Sequence, residues 1–317
     1  MSAMSDFYEK LKEYAAYTEE GLNAILPKRE NYQKTIYDAM RYSLLAGGKR
    51  IRPVLSFVTA ELFGLDIETV KPFALAIEMI HTSSLIHDDL PAMDNDDYRR
   101  GRLSCHKRFD EATAILAGDA LLTYAFEVAG DGASGLITKA VVSGNEELAR
   151  NASKVVALLA NRVGTEGMIG GQVIDLKAED TIIDEYEHDT LCRLKTGCLL
   201  TVPAEISGLI AGRKETPEYG LIVDYSKSIG LAFQIRDDIL DVEGDPHLLG
   251  KNIGMDDADN KTTFVTLYGI DGAKQKLEEL TQRAVNDCKA LMALESCSTQ
   301  SAEFLLELAN FLLERKY

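Results

Sequence analysis

Residues 84–100 read SLIHDDLPAMDNDDYRR, so an apolar helical run ends abruptly in five aspartates and two arginines. Burying the foot of such a cluster without partners costs, roughly, several kcal/mol per charge, and cations are therefore expected beside it. Carboxylates suit Mg²⁺, which combines few protein oxygens with substrate phosphates. The adjacent Arg99 and Arg100 suit a planar or bidentate anion such as phosphate. The stretch therefore predicts a metal site next to a phosphate site.

Two aspartates of this stretch need a bend between them to act together. Asp88 and Asp94 lie six residues apart, which on a straight helix leaves them about 120° out of alignment. Pro91 removes the hydrogen bond to the carbonyl of His87 and lets the chain bulge. We therefore expect Asp94 to return to the side of Asp88.

A second acidic cluster, FQIRDDILD at residues 233–241, also ends an apolar helical segment. Asp237 and Asp241 share one helix face with Gln234, where like charges repel unless a cation lies between them. One such cluster fits a charged surface helix as well as a site, whereas two of them favour a site. Since helix bundles build their sites from facing helices, both clusters are predicted to face one central apolar cavity.

Cations are available in two further segments. GGKRIRP, residues 47–53, places Lys49, Arg50 and Arg52 at a helix N-terminus, which predicts an anion site or, alternatively, a solvated basic turn. Lys195 lies in the apolar middle of another helix, where it either meets an anion or lays its stem along the surface. His81 lies two turns before Asp88 on the same helix face, as a core histidine or as a ligand.

The composition of the 317-residue chain predicts one all-α domain spanning residues 1–317. Hydrophobic residues make up 46% of the chain, no strand-like alternation persists, and no linker rich in Pro, Gly or Ser divides it. About a dozen helices are expected from the apolar spacing. They include separate helices at 111–128 and 130–142, one long helix at 183–210, and C-terminal helices at 274–293 and 299–315.

Charge and hydropathy exclude several classes of partner. A net charge of −17 and a pI near 4.8 argue against nucleic acid, which needs a basic face. No transmembrane segment or signal peptide is predicted, because no apolar run approaches roughly 20 residues, and a cytoplasmic location is expected. The five cysteines are odd in number and form no CxxC pair, so reduced thiols are expected.

The ordered set of motifs resembles the trans-prenyl diphosphate synthases of the farnesyl/geranylgeranyl diphosphate synthase family. The resemblance covers nearly the whole chain and implies an isoprenoid-synthase type of helical bundle acting as a homodimer. It also implies the head-to-tail condensation of isopentenyl diphosphate with dimethylallyl, geranyl or farnesyl diphosphate. The motifs are GGKRIRP (47–53), IHDDLPAMDNDDYRRG (86–101), GDALL (118–122), GGQVID (170–175), KTG (195–197), FQIRDDILD (233–241) and LGKNIGMDDADNK (249–261).

The same resemblance implies a role for each matching residue. A cluster of three Mg²⁺ ions would be held by Asp88, Asp94 and Asp237, with Asp89, Asp238 and Asp241 as further candidates. The allylic diphosphate would be bound by Arg99, Lys195 and Lys251. Isopentenyl diphosphate would be bound by Lys49, Arg52, His81 and Arg100, with Lys261 as a further substrate contact. Thr196 and Gln234 would present oxygens to the carbocation, and the departing pyrophosphate would take the final proton. The residues expected to act in catalysis are Asp88, Asp94, Lys195, Thr196, Gln234 and Asp237.

Departures from the family pattern are few. GRLSCHK follows Arg100 where a proline and a threonine are frequent, and Phe264 replaces a frequent tyrosine. Ser83 lies five residues before Asp88, about 7 Å below the metal, where the growing tail should pass. Members that stop at fifteen carbons often carry an aromatic residue there. Serine therefore favours a twenty-carbon product, with fifteen carbons kept as the alternative.

Three other functions fit part of the pattern. His87 and Asp88, with His81 and His106, match an HD-type metal phosphohydrolase, but this leaves the second acidic cluster without a role. A class I terpene cyclase uses similar acidic helices and needs no isopentenyl site at Lys49 and Arg52. A regulatory subunit of a heteromeric synthase is disfavoured because both acidic clusters are intact.

Overall fold

A computed structural model describes residues 3–178, 181, 183–243 and 262–314, and in this part of the chain the prediction of an all-α fold is confirmed. Two short strands, β1 (Tyr98–Arg99) and β2 (Arg102–Leu103), are the exception among the described residues. The helices are α1 (Ala3–Ile25), α2 (Lys34–Leu44), α3 (Ile51–Leu62), α4 (Ile67–Asp88), α5 (Cys105–Arg108), α6 (Glu111–Ser143), α7 (Glu146–Val163), α8 (Met168–Ala178), α9 (Glu185–Cys192), α10 (Cys198–Ile210), α11 (Pro217–Glu243), α12 (Phe264–Met292) and α13 (Thr299–Glu314).

Three helix predictions are wrong in their bounds. Helix α6 is continuous through Gly130, because an isolated helical glycine costs only about 1 kcal/mol. The segment predicted as one helix at 183–210 is interrupted by a π-helical stretch at Arg193–Gly197. Helix α12 begins at Phe264 rather than near residue 274, and Gly269, with a φ of 70°, breaks its regular geometry.

The hairpin of β1 and β2 was not predicted from the sequence. Its two turn residues, Arg100 and Gly101, have φ angles of 53° and 71°, and two consecutive positive φ values are typical of the type I′ turn of tight hairpins. The strands pair antiparallel, with Arg99 opposite Arg102. Strands of two residues carry no alternation, so the pattern of the sequence could not indicate them.

The chain groups into two compact units. The first unit comprises Met1–Phe57 and Ile67–Val156, and the second comprises Val58–Asp66 and Ala157–Tyr317. The expectation of a single domain stays a prediction.

The core of the first unit forms where α4 packs against α6. Helix α4 is buried around most of its circumference, with large side chains such as Phe73, Ile77 and Ile80 at most 1% exposed. Helix α6 buries a stripe of mostly small residues at helical spacing, which allows the two backbones to approach closely. The stripe comprises Ala114, Ala117, Gly118, Leu121, Ala125, Ala129, Ala133, Leu136 and Ala140.

The core of the second unit gathers residues of α8, α9, α11 and α12. Ile235 and Ile239 of α11 are at most 1% exposed and belong to the same cluster as Phe264 and Leu277 of α12. The ring of Phe264 also meets His188 edge to face, with 4.5 Å between ring centroids. This packing fixes the helix of the second acidic cluster against the start of α12.

Helix α6 is the one helix in the described part of the chain that is long and apolar enough to span a membrane. The core helix of a soluble protein passes the same test, so the finding is weak evidence for a span. The absence of a transmembrane segment stays a prediction.

Candidate active site

The acidic turn after α4 brings two of the predicted metal ligands together. Helix α4 ends at Asp88, and the backbone N–H of Asp94 donates to the carbonyl of Asp88 at 2.9 Å. Asn95, with a φ of 52°, closes the turn by donating from its backbone N–H to the carbonyl of Leu90 at 3.1 Å. The predicted return of Asp94 to the side of Asp88 is therefore confirmed. Both aspartates are half-buried.

Asp89 lies behind this turn and is paired with an arginine. Its residue is 2% exposed, and Arg99 of β1 donates to its Oδ1 from Nε at 2.8 Å and also from Nη2. The same Nη2 donates to Asp96 at 2.9 Å. Burial raises the pKa of Asp89 to about 6, although the hydrogen bonds and charge of Arg99 act in the opposite direction. Asp89 therefore holds Arg99 at the edge of the acidic turn.

Arg100, the next residue, reaches a different partner. Its guanidinium donates to the carbonyl of Gly47. A Cβ on Gly48, which has a φ of 132°, would lie 2.9 Å from Cζ of Arg100. The paired glycines of the GGKRIRP segment therefore admit the guanidinium against their backbone. Arg99 and Arg100, adjacent in sequence, diverge to two separate places in the first unit.

Arg52 and His81 lie with Arg100 around this loop, and these residues are called the basic site. Burial lowers the pKa of Arg52 to about 10, and its buried Nε has no hydrogen-bond partner in the described part of the chain. Burial, followed by the charges of Arg52 and Arg100, lowers the pKa of His81 well below its usual value. His81 is therefore neutral near pH 7. A buried guanidinium donor without a partner fits an anion as its missing acceptor.

Ser83 and His87 lie one turn apart on α4 and both contact α6. Ser83 is 3% exposed, and its hydroxyl donates to the carbonyl of Gly118 at 2.8 Å. His87 Nε2 lies 3.1 Å from the carbonyl oxygen of Ile115. A Cβ on Gly118 would lie 2.1 Å from His87 Nε2, so glycine is required for this approach. The role of Ser83 in product length stays a prediction.

In the second unit, Lys195 lies on the π-helical stretch and forms an ion pair with Asp175 of α8. A Cβ on Gly171 would lie 2.2 Å from the backbone nitrogen of Lys195, so α8 passes directly against this stretch. Of the two alternatives for Lys195, the one with an anionic partner is therefore confirmed. The GGQVID motif by itself did not indicate a role for Asp175.

Gln172 of the same motif was also missed. Its Nε2 is buried and has no hydrogen-bond partner among the described residues. An unpaired buried amide is uncommon in folded proteins and indicates a functional position. The segment GGQVID held the signal, but nothing in its spacing distinguishes a site amide from a core amide.

Hydrogen bonds connect Thr196, Gln234 and Asp238 at the second acidic cluster. Thr196 Oγ1 donates to Gln234 Oε1 at 3.3 Å, and Gln234 Nε2 donates to Asp238 Oδ1 at 3.0 Å. The other oxygen of Asp238 accepts from the backbone N–H of Phe264 at 2.8 Å. Asp238 and Asp241 are each 4% exposed, whereas Asp237 is half-buried. Asp238 thereby orients Gln234 and anchors the first turn of α12.

The donor set fits a magnesium site assembled with substrate. In the described part of the chain, no three His, Cys, Asp or Glu side chains gather closely enough to hold a metal ion by themselves. Mg²⁺ usually takes one or two carboxylates together with phosphate oxygens and water, which is what the turn of Asp88 and Asp94 offers. Lys251 and Lys261, two of the predicted substrate contacts, lie outside the described residues.

Comparisons with known proteins show which family the chain resembles. The polyprenyl synthetase family matches residues 33–297. Farnesyl diphosphate synthase of Haemophilus influenzae is 40% identical over 306 residues, covering 96% of this chain and 99% of that protein. Geranylgeranyl diphosphate synthase of Cyanophora paradoxa is 42% identical over 277 residues, covering 86% of this chain and 87% of that protein. The structure of a Helicobacter pylori geranyltransferase complexed with magnesium and isoprenyl diphosphate aligns with a TM-score of 0.81 at 30% identity, covering 99% of each chain.

The chain belongs to the polyprenyl synthetase family, and it is a prenyltransferase. The expected family and fold class are confirmed. The metal phosphohydrolase and terpene cyclase alternatives are not favoured by these matches.

Proposed function

We propose that the protein condenses isopentenyl diphosphate with an allylic diphosphate, in the cytoplasm and as a homodimer. The divergence of Arg99 and Arg100 carries this proposal. Arg99 joins the acidic turn through Asp89, while Arg100 lies on the Gly47 carbonyl beside Arg52. A reaction between two diphosphates needs two such sites next to one another, one with carboxylates for magnesium and one with cations alone.

The acidic turn is assigned to the allylic diphosphate. Asp88, Asp94 and Asp237 would hold magnesium, in a cluster of three ions, with Asp241 as a further candidate. Bound magnesium stabilises the negative charge that develops on the leaving pyrophosphate. Arg99 would donate to the same oxygens, since Asp89 holds its guanidinium at the edge of this turn.

The second unit would supply further cations to the allylic diphosphate. Lys195 would reach its oxygens from the π-helical stretch, with Asp175 fixing the ammonium in place. Lys251 is proposed for the same diphosphate, and Lys261 is a further proposed substrate contact.

The basic site is assigned to isopentenyl diphosphate. Lys49, Arg52 and Arg100 would bind its phosphates, and the orphaned Nε of Arg52 would gain its acceptor. Neutral His81 would donate one hydrogen bond without adding a further buried charge. No carboxylate is needed here, because this diphosphate is not a leaving group.

The chemical step needs polar groups that do not trap a cation. The allylic C1–O bond breaks and its electron pair leaves with pyrophosphate, the double bond of isopentenyl diphosphate attacks C1, and pyrophosphate takes the proton lost from C2. Thr196 and Gln234 would present oxygens to the positive charge. The hydrogen bond from Gln234 Nε2 to Asp238 orients the amide for this role.

The proposed product has twenty carbons, because the small side chain of Ser83 lies at the position expected along the growing tail. Ser83→Tyr is expected to shorten the product to fifteen carbons, measured by mass spectrometry. Ser84→Tyr is the matched control, since Ser84 is half-buried and bonds to its own helix at the His81 carbonyl. An unchanged product length in Ser83→Tyr refutes this assignment.

The reaction itself is tested with purified protein, Mg²⁺ and an allylic diphosphate, with and without isopentenyl diphosphate. Elongation only when both substrates are present supports the proposal. Hydrocarbon formed from the allylic diphosphate alone would indicate a cyclase, and phosphate release without carbon–carbon bond formation would indicate a hydrolase. Activity of the chain without added subunits excludes the regulatory-subunit alternative. Sedimentation of the protein as a monomer would refute the homodimer.

A further inference from the structure

Arg50 lies between Lys49 and Arg52 in the GGKRIRP segment, yet its side chain is fully buried, at 0% exposure. It is the residue before α3 and has a φ of 50°. A non-glycine residue with positive φ is uncommon and persists where its surroundings over-determine it. The contacts of the Arg50 guanidinium show what determines it here.

The guanidinium of Arg50 bonds to three helices of the first unit. Nε donates to Glu19 of α1 at 2.8 Å, and Nη1 donates to Glu78 of α4 at 2.6 Å. Nη2 donates to the carbonyl of Leu44, the last residue of α2, at 2.6 Å. The planar fork of arginine satisfies these acceptors simultaneously, which a lysine ammonium cannot do in the same geometry. Arg50 is therefore fixed with respect to all three helices.

This anchor determines where the neighbouring cations begin. The backbone carbonyl of Arg50 accepts the hydrogen bond from Val54 N–H, at 3.0 Å, that starts α3. Lys49 precedes it and Arg52 follows it by two residues, so the position of Arg50 sets the start of both side chains. The Gly47 carbonyl in the same loop accepts from Arg100. One short loop therefore connects the buried anchor with the proposed isopentenyl diphosphate site.

Glu78 supplies the buried negative charge of this arrangement. It is 2% exposed, bonds to Arg50, and its charge also acts on Arg52 and Arg100. It lies three residues before His81, one helical turn away on α4. Its carboxylate is occupied by Arg50 rather than aimed at a substrate, so its effect on the basic site passes through the anchor.

We infer that Arg50 and Glu78, with Glu19, form a positioning device for the isopentenyl diphosphate site, in which none of the three contacts the substrate. The inference rests on the proposed function. It corrects the expectation that Arg50 is one of the cations facing an anion, and it gives Glu19 and Glu78 a role. The device holds Lys49, Arg52 and Arg100 in the arrangement that binds one diphosphate. It leaves the acidic turn of Asp88 and Asp94 unaffected.

Steady-state kinetics of Arg50→Lys test the inference, with each substrate varied separately. The KM for isopentenyl diphosphate is expected to rise about ten-fold or more, because a displacement of about 1 Å is costly in a preorganised site. The KM for the allylic diphosphate is expected to stay within about two-fold. Equal changes in both constants, or no change in either, would overturn the inference.

Glu78→Gln separates the role of Glu78 in holding Arg50 from the direct effect of its negative charge. Removing a buried negative charge beside three guanidiniums would by itself strengthen diphosphate binding and lower the KM for isopentenyl diphosphate. Loss of the anchor raises this KM instead, and a rise is the expected result. If Arg50→Lys does not fold, Glu19→Gln is measured in its place, since the Glu19 side chain is 36% exposed. A smaller rise in the KM for isopentenyl diphosphate is then expected, and an unchanged KM would refute the inference.

A matched control exists in the second unit. Arg162 donates to both oxygens of Glu205, at 2.7 and 2.6 Å, and that carboxylate is also buried. Arg162→Lys is expected to lower the melting temperature without a selective change in either KM. The same selective rise in Arg162→Lys would show that the effect of Arg50→Lys is general destabilisation. A wild-type protein that fails to elongate refutes the proposed function rather than the positioning role.

Discussion

The two acidic clusters bury their paired aspartates in the same way, but the hydrogen bonds of the buried aspartate go to different neighbours. In each pair the second aspartate is buried, Asp89 at 2% and Asp238 at 4% exposure, while the first, Asp88 or Asp237, is half-buried. Asp89 is met by the guanidinium of Arg99. Asp238 accepts hydrogen bonds from the amide of Gln234 and from the backbone N–H of Phe264.

This difference separates two tasks within one sequence motif. The buried aspartate builds the site by fixing a neighbour, an arginine in the first unit and a glutamine in the second. The first aspartate of each pair is more exposed, and a ligand can approach it. The matching DD pairs therefore do not supply equivalent residues, and metal binding is proposed for the first member of each pair.

The largest expected effect follows from this division of tasks. Asp88→Asn and Asp237→Asn should each lower kcat/KM by about 10²–10³-fold, because each removes charge that stabilises the leaving group through magnesium. Their melting temperatures should change little. Asp238→Asn should instead destabilise the protein by roughly 1–3 kcal/mol, since its NH2 group would face a donor, either the Gln234 amide or the Phe264 N–H. Asp89→Asn keeps an oxygen acceptor for Arg99 and removes only the charge of this pair.

Kinetics at saturating Mg²⁺ and thermal melts of the four variants check this prediction. Asp241→Asn serves as a further comparison, because Asp241 is buried like Asp238 but is not part of a DD pair. If the Asp→Asn variants of both members of one pair lose activity equally and keep their stability, the distinction between a structural aspartate and a metal-binding aspartate is refuted.

The guanidinium-paired cluster should also give a distinct pH dependence in metal-free protein. Burial raises the pKa of Asp89 from its usual 3.8 to about 6. A raised pKa means that the folded state binds the proton more tightly than the unfolded state. The stability contributed by this group is therefore complete below about pH 4 and is lost as pH rises through about 6.

Thermal melts in EDTA between pH 4 and 7 measure this dependence as the difference between wild type and Asp89→Asn. Asp110→Asn is a control with the opposite sign, because hydrogen bonds from Thr113 lower the pKa of Asp110 at the start of α6. The stability that Asp110 contributes is present above its pKa in the unfolded state, and it is lost as pH falls through its lower pKa in the folded state. Parallel curves for wild type and Asp89→Asn would contradict the assignment.

The sequence predicted the local geometry around the candidate site better than the contacts between distant residues. The end of α4, the return of Asp94 and the anionic partner of Lys195 followed from spacing and charge. The identity of that partner, Asp175, did not, because a pair twenty residues apart on two helices leaves no local periodicity. Asp89 is paired with Arg99, and Arg99 is positioned by a hairpin too short to show a strand pattern.

The smallest expected effects concern two glycines, one beneath each site. A Cβ on Gly171 would meet the backbone of Lys195 at 2.2 Å, whereas a Cβ on Gly118 would meet the side chain of His87 at 2.1 Å. A side chain can rotate away and a helix backbone cannot. Gly171→Ala should therefore cost about 2–3 kcal/mol of stability and Gly118→Ala about 1 kcal/mol.

Gly130 provides the control for helix propensity, because a Cβ there would meet nothing within 4 Å. Gly130→Ala should stabilise the protein by about 0.5–1 kcal/mol. Melting temperatures that decrease in the order Gly130→Ala, wild type, Gly118→Ala and Gly171→Ala would confirm the packing at both sites. If Gly118→Ala is the less stable of the two site variants, the His87 ring is held more rigidly than the backbone of the π-helical stretch, and the first site is the stiffer one.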